Sequence, residues 1–122
     1  VVGARSILMA KNICFSVANS PLFKTAIGGS DANWGRIIMA IGKSYENIIP
    51  TKIKVKIGNF LIVENGQAST NYKSQEENLN EYMKWDSINI QIDLGLGEAK
   101  HTVYTSDLTH DYIDINTDYR RN

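Results

Sequence analysis

Two positively charged side chains, Lys24 and Arg36, lie on either side of a Gly28-Gly29 pair. A short apolar run over 22–27 precedes the glycines and predicts a buried strand. Asp31 is a good N-cap residue, and it predicts that a helix follows. In a strand, glycine turn and helix arranged in this order, backbone N–H groups converge with the positive end of the helix. Such a site would bind a carboxylate or another anion with the help of both cations.

The same residues also have a simpler interpretation. In this interpretation the glycines only make a tight turn, and Arg36 is a solvated or ion-paired surface residue. The helix itself is predicted by apolar residues at positions i, i+3, i+4 and i+7, namely Trp34, Ile37, Ile38 and Ile41. Gly42 stands where a glycine commonly ends a helix. Both interpretations remain open from the residues alone.

Composition predicts a single domain over residues 1–122, because 43% of the residues are apolar and suffice for a core. The 13 basic and 13 acidic residues give a net charge of +0, which argues against nucleic acid as a partner. No apolar run reaches the roughly 18 residues of a membrane span, and no signal peptide is recognised. We therefore expect a cytoplasmic protein without a membrane partner.

Cys14 is the only cysteine, so an internal disulfide is excluded and a reducing compartment fits. It lies on the apolar side of a predicted helix over 7–18 that Ser6 would cap, and we interpret it as a core residue rather than a nucleophile. His101 and His110 lack metal-ligand spacing, so no metal site is expected. Helix capping explains Ser106, His110 and Asp111 better than a catalytic triad does.

The rest of the sequence contains both strand and helix patterns. Strict alternation predicts strands over 52–57 and 87–94, and Gly58-Asn59 predicts a hairpin to a strand over 60–63. A capping box at 74–77 predicts a helix to Lys84, and a strand is predicted over 98–105. A final helix is predicted after Asp107, with a strand as the alternative for this last element. The fold class is α+β, a mostly antiparallel sheet with helices packed on it in a two-layer, roll-like domain.

Three lysines, Lys52, Lys54 and Lys56, share one face of the strand predicted over 52–57. Such a row could bind an acidic partner. It could equally be a solvated face that protects an edge strand from pairing with another molecule.

Two motifs, in this order, strongly resemble the ornithine acetyltransferase family, also called glutamate N-acetyltransferases. The first motif reads Ser20-Pro21-Leu22-x-Lys24-Thr25-Ala26 and then Gly29-x-Asp31-x-Asn33-Trp34-Gly35-Arg36. The second reads Ile90-x-Ile92-Asp93-Leu94-Gly95-x-Gly97 and then Ser106-Asp107-Leu108-Thr109-x-Asp111-Tyr112-Ile113-x-Ile115-Asn116-x-Asp118-Tyr119-Arg120. Ser30 stands where the family usually carries an acidic residue.

The resemblance implies a function in arginine biosynthesis. Family members cleave themselves before a threonine, which then accepts the acetyl group of N-acetylornithine and passes it to glutamate, releasing ornithine. Some members also accept acetyl-CoA, and no other cofactor is implied. The chain resembles the C-terminal part of the β chain, with Val1 to Ala4 as the tail of a truncated first strand. The catalytic threonine would lie in an upstream segment, so no residue here is assigned a catalytic role.

The resemblance also implies substrate contacts. Asn116 matches a family asparagine whose carboxamide can donate to a carboxylate and accept from an amine. Arg121 stands at the position of a family Thr or Ser, where this chain departs from the pattern. The first motif contributes residues whose role the resemblance leaves undefined: Lys24, Thr25, Asp31, Asn33, Trp34 and Arg36.

Three functions follow as hypotheses. The first is a domain of a glutamate N-acetyltransferase that works with the upstream segment in a homo- or hetero-oligomer. The second is a free-standing, non-catalytic domain of the same fold that binds a ligand or a partner and dimerises through an exposed edge or an apolar patch. The third, a small independent acyltransferase, needs a nucleophile that the sequence does not reveal.

Overall fold

A computed structural model of the chain describes residues 1–70 and 75–106. Within them lie helices α1 (Ile7–Ala18), α2 (Pro21–Gly28), α3 (Trp34–Gly42) and α4 (Glu76–Tyr82) and a 3-10 turn at Pro50–Lys52. The strands are β1 (Lys54–Ile57), β2 (Phe60–Glu64), β3 (Gln67–Ala68) and β4 (Ile90–Asp93). The predictions that begin at Asp107 lie outside the described residues.

The four strands form one antiparallel sheet in the order β3-β2-β1-β4. Gly58 adopts a φ of 59° in the two-residue turn between β1 and β2, which confirms the predicted hairpin. The α+β fold class is confirmed, since helices and an antiparallel sheet occur together. The strand predicted over 98–105 is wrong. There the chain makes an isolated bridge between Ala99 and Ala4 and two hydrogen bonds between His101 and Val1, but it forms no strand.

One contiguous core joins the helices to the inner face of the sheet. Its fully buried large side chains come from α1, α3, α4, β1, β2 and the flanking segments, and they are Ile13, Ile37, Ile41, Ile53, Ile57, Ile62, Leu79, Leu94, Val55 and Val63. The predicted inner face of α1 is confirmed, and Ser6 caps this helix by accepting the N–H of Met9 at 3.0 Å.

The lysine row does not protect an edge. Lys54 and Lys56 do alternate with buried Val55 and Ile57, as predicted, but β1 is paired on both sides. Strand order depends on long-range pairing with β4, which alternation within β1 cannot reveal. Lys52 belongs to the 3-10 turn instead of the strand.

The first four residues fit between two later parts of the chain. Val2 donates its N–H to the Ile92 carbonyl at 2.8 Å and accepts the N–H of Leu94 at 3.0 Å. On the other side Ala4 and Ala99 exchange two hydrogen bonds of 3.0 and 2.9 Å. The segment thus makes two isolated bridges, with a bend at Gly3, where φ is 70°, and it joins β4 to the turn that follows it. Its prediction as the tail of a truncated strand stays a prediction.

Candidate functional site

The first motif forms a helix, a turn and a second helix, instead of the predicted strand, glycine turn and helix. Ser20 accepts the N–H of Phe23 at 3.3 Å, and Pro21 occupies the first turn of α2. This combination of cap and proline is favourable for a helix start, because the missing proline N–H would lack an intrahelical partner anyway. Thr25, on α2, donates its hydroxyl to the Pro21 carbonyl at 2.8 Å. The strand prediction over 22–27 is therefore wrong.

The turn between α2 and α3 uses its own N–H groups internally. Gly29 donates to the carbonyls of Thr25 and Ala26, and Asp31 donates to the Ala26 carbonyl at 2.8 Å. The left-handed conformation falls on Ser30, with a φ of 56°, and not on the two glycines. These N–H groups therefore close the end of α2, and they do not form the predicted anion site.

Ser30 connects this turn to a distant part of the fold. Its hydroxyl donates to the Met83 carbonyl, at the C-terminal end of α4, at 3.3 Å. A residue that departs from the family pattern thus has a clear structural contact in this chain.

Helix α3 is capped by Asn33 and not by Asp31. The Asn33 Oδ1 accepts the N–H of Arg36 at 3.1 Å, while its Nδ2 donates to the Asp31 carboxylate at 3.3 Å. Both residue types are good N-caps, so the sequence alone could not choose between positions two residues apart. Gly42 is the last residue of α3 and not the residue after it.

Arg36 joins the two helices. Its Nη1 donates to the Leu22 carbonyl in the first turn of α2 at 2.9 Å. Asp31, Asn33 and Arg36 thus belong to one hydrogen-bonded network. Within 1–70 and 75–106, the Lys24 ammonium makes no hydrogen bond or ion pair with this network, although its side chain is half-buried.

The predicted apolar stripe of α3 is only partly buried. Ile37 and Ile41 are in the core, as expected, but Trp34 remains 37% exposed. Trp34 is therefore a surface residue beside the Asn33 cap in this structure.

We predict that Asn33→Ala lowers the free energy of unfolding by about 1 kcal/mol, because the Arg36 N–H loses its partner at the start of α3. Asn33→Ser retains a capping oxygen and should cost only a few tenths of that value. Urea denaturation of both variants measures the difference. An equal loss in both would contradict a capping role.

The remaining candidate residues from the sequence lie outside the α2–α3 pair. The Cys14 side chain is 5% exposed and donates its thiol to the His101 carbonyl at 3.2 Å, which confirms its interpretation as a core residue. Within the described ranges no group of three His, Cys, Asp or Glu side chains could hold a metal. Asn116, Arg121 and His110 lie outside the described residues.

A cleft of about 430 Å³ was missed by the sequence analysis. We call it the aromatic cleft, and it is lined by Gly58, Asn59, Phe60, Asn78, Glu81, Tyr82, Trp85 and Asn89. It lies between the β1–β2 turn and the end of α4. The one available signal was Trp85, an aromatic residue directly after the polar helix α4, and this side chain is 64% exposed.

These elements define an α+β domain in which a capped helix pair and an antiparallel sheet share one core. The chain belongs to the ArgJ family, whose family model matches residues 1–121. This match confirms the resemblance found in the sequence.

Known proteins agree with this assignment. The chain is 46% identical over 120 residues to the arginine biosynthesis bifunctional protein ArgJ of Mesorhizobium japonicum and 49% identical to that of Ruegeria pomeroyi. Each alignment covers 98% of this chain, which spans only 29% of the length of either relative. The crystal structure of ArgJ from Bacillus halodurans at 2.00 Å superposes with a TM-score of 0.87 at 34% identity, covering 97% of this chain and 55% of that one.

In the part of the chain that the structure describes, no helix combines the length and apolar character needed to cross a bilayer.

Proposed function

We propose that this chain acts as the C-terminal domain of a glutamate N-acetyltransferase β chain in arginine biosynthesis. The observation that carries the proposal is the family match over residues 1–121, together with the agreement in fold with an ArgJ crystal structure. The curated relatives are named as bifunctional proteins of arginine biosynthesis. The proposed role is to complete a substrate site whose nucleophile lies in an upstream segment.

The proposed reaction has two acyl-transfer steps. The threonine hydroxyl oxygen attacks the acetyl carbonyl of N-acetylornithine, the amide C–N bond breaks, and ornithine leaves with the proton on its amine. The amine of glutamate then attacks the acetyl-threonine ester, and the threonine oxygen recovers a proton as N-acetylglutamate leaves. Acetyl-CoA would be a second acetyl donor, as in some family members.

In this proposal Asn116 is the substrate contact that the domain contributes. Its carboxamide accepts a hydrogen bond from an amine and donates to a carboxylate, which suits both amino-acid substrates. Arg121 replaces a family hydroxyl, so in this proposal either the second contact at this position is lost or the tail of the chain runs differently.

The first motif has a positioning role in the proposal. Thr25, Asp31, Asn33 and Arg36 use their polar groups to build the α2–α3 pair. The half-buried Lys24 and the exposed Trp34 are the motif residues proposed to face the upstream segment. The assembly would be a homo- or hetero-oligomer in the cytoplasm.

Reconstitution tests the proposal. We expect acetyl transfer from N-acetylornithine to glutamate when the chain is mixed with a separately produced upstream segment of a relative such as the Ruegeria pomeroyi protein, and none from the chain alone. Product formation is followed by mass spectrometry of N-acetylglutamate. Activity from the chain alone would overturn the placement of the nucleophile. A folded chain inactive in both mixtures would favour the free-standing, non-catalytic domain.

Asn116→Ala should raise the KM for the substrates of the reconstituted enzyme roughly tenfold, the usual effect of losing one hydrogen bond to a charged group. The matched control is Asn80→Ala, which truncates an exposed asparagine of α4 outside the aromatic cleft. Equal kinetic constants for the two variants would exclude Asn116 as a substrate contact.

A further inference from the structure

Three aromatic rings, those of Phe60, Tyr82 and Trp85, lie next to one another in the lining of the aromatic cleft. Tyr82 lies 5.0 Å from Trp85 and 6.3 Å from Phe60, measured between ring centroids, with tilts of 50° and 55°. Trp85 lines the cleft and is largely exposed to solvent. Exposed aromatic faces carry a negative quadrupole, which attracts cations.

The base of the cleft is fixed before any ligand arrives. The Tyr82 hydroxyl accepts the N–H of Asn89 at 2.9 Å, which ties the end of α4 to the start of β4. The Tyr82 ring also lies against Gly58, where an added Cβ would be 2.8 Å from Tyr82 Cζ. A ligand would therefore bind a preformed surface, with little ordering of the protein to oppose binding.

Glu81 is the one charged residue among those that line the cleft. The segment over 75–89, which supplies α4 and Trp85, carries four carboxylates, at Glu76, Glu77, Glu81 and Asp86, against one ammonium group. That ammonium belongs to Lys84, whose Nζ lies 3.5 Å from Glu81 Oε1. The carboxylate of Glu81 therefore already attracts a cation in the free protein, although this pair is exposed and weak.

Polar groups complete the lining. Asn59, Asn78 and Asn89 provide amide oxygens that accept hydrogen bonds from N–H donors. The volume of about 430 Å³ lies in the range of small-molecule sites, roughly 300–1,000 Å³.

From these observations we propose that the aromatic cleft binds a small organic cation that carries a guanidinium group. The planar group would stack on the exposed Trp85 ring and donate N–H groups to the Glu81 carboxylate. The test of this proposal does not depend on the acetyl-transfer function.

The test is an NMR titration of the full chain with N-acetyl-arginine methylamide, in which the guanidinium is the only charge. The two tryptophans give two indole N–H signals, assigned with Trp34→Phe. We expect the Trp85 signal to shift to saturation with a dissociation constant on the order of 1 mM, and the Trp34 signal to stay in place. The uncharged citrulline analogue should bind at least about fivefold more weakly.

Three variants locate the site. Glu81→Gln should weaken binding about three- to tenfold, whereas the charge-matched control Glu98→Gln, outside the cleft, should leave it unchanged. Lys84→Met removes the competing ammonium and should strengthen binding about twofold. The proposal is overturned if the Trp85 signal does not saturate, if the citrulline analogue binds equally well, or if Glu81→Gln and Glu98→Gln behave alike.

Discussion

Replacing Ile57 by alanine is expected to lower the free energy of unfolding by about 2–5 kcal/mol. Ile57 is fully buried at the end of β1, paired with Phe60 of β2 on one side and Ile90 of β4 on the other. Truncation leaves a cavity where three strands meet, and rigidly paired strands cannot collapse into it. The total free energy of unfolding of a small domain is only about 5–15 kcal/mol. Chemical denaturation should therefore show a transition at a much lower denaturant concentration.

Lys56→Ala is the matched control for this experiment. It introduces the same residue one position earlier, on the outer face of the same strand. Because the Lys56 side chain is exposed, the change should stay within about 0.5 kcal/mol. Similar losses at 56 and 57 would contradict the register of β1 described above.

Gly66→Ala is expected to cost more than about 2 kcal/mol, because two unfavourable terms act at one residue. Gly66 adopts a φ of 76° in the Asn65-Gly66 turn, a conformation that alanine rarely takes. An added Cβ would also overlap the backbone carbonyl of Pro50, which cannot move aside as a flexible side chain would. Thermal denaturation should show a markedly lower Tm.

Gly42→Ala should raise the free energy of unfolding, in contrast to Gly66→Ala. Gly42 is the last residue of α3, and an added Cβ meets nothing within 4 Å. Alanine is favoured over glycine in helices, so the variant should gain up to about 1 kcal/mol. Destabilisation by both substitutions would show that glycine is needed in these places for a reason other than backbone geometry and space.

Patterns within a single stretch of sequence correctly predicted α1, β1, β4 and the hairpin between β1 and β2. Ser6 and the buried spacing of α1 gave that helix with its correct ends, and strict alternation gave β1 and β4. In each case the period of the apolar residues distinguishes a helix from a strand. The Gly58-Asn59 turn fixed the hairpin for the same local reason.

The errors came from short or long-range features. The short apolar run over 22–27, which lies within the eight-residue helix α2, fits either period, and only the Ser20-Pro21 start favoured the helix. β1 lies inside the sheet and not at its edge because it pairs with β4, which follows more than thirty residues later in the chain. The aromatic cleft likewise combines a hairpin turn with a helix end, and no motif in one stretch could indicate it.

Hydrogen bonds from 1–4 to 92–101 also determine when this domain can fold during synthesis. Val2 finds its partners at Ile92 and Leu94, and Ala4 finds its partner at Ala99. A ribosome adding about 5–20 residues per second therefore presents this segment on the order of 10 s before its partners emerge. Until then its apolar Val1 and Val2 side chains have no sheet to join.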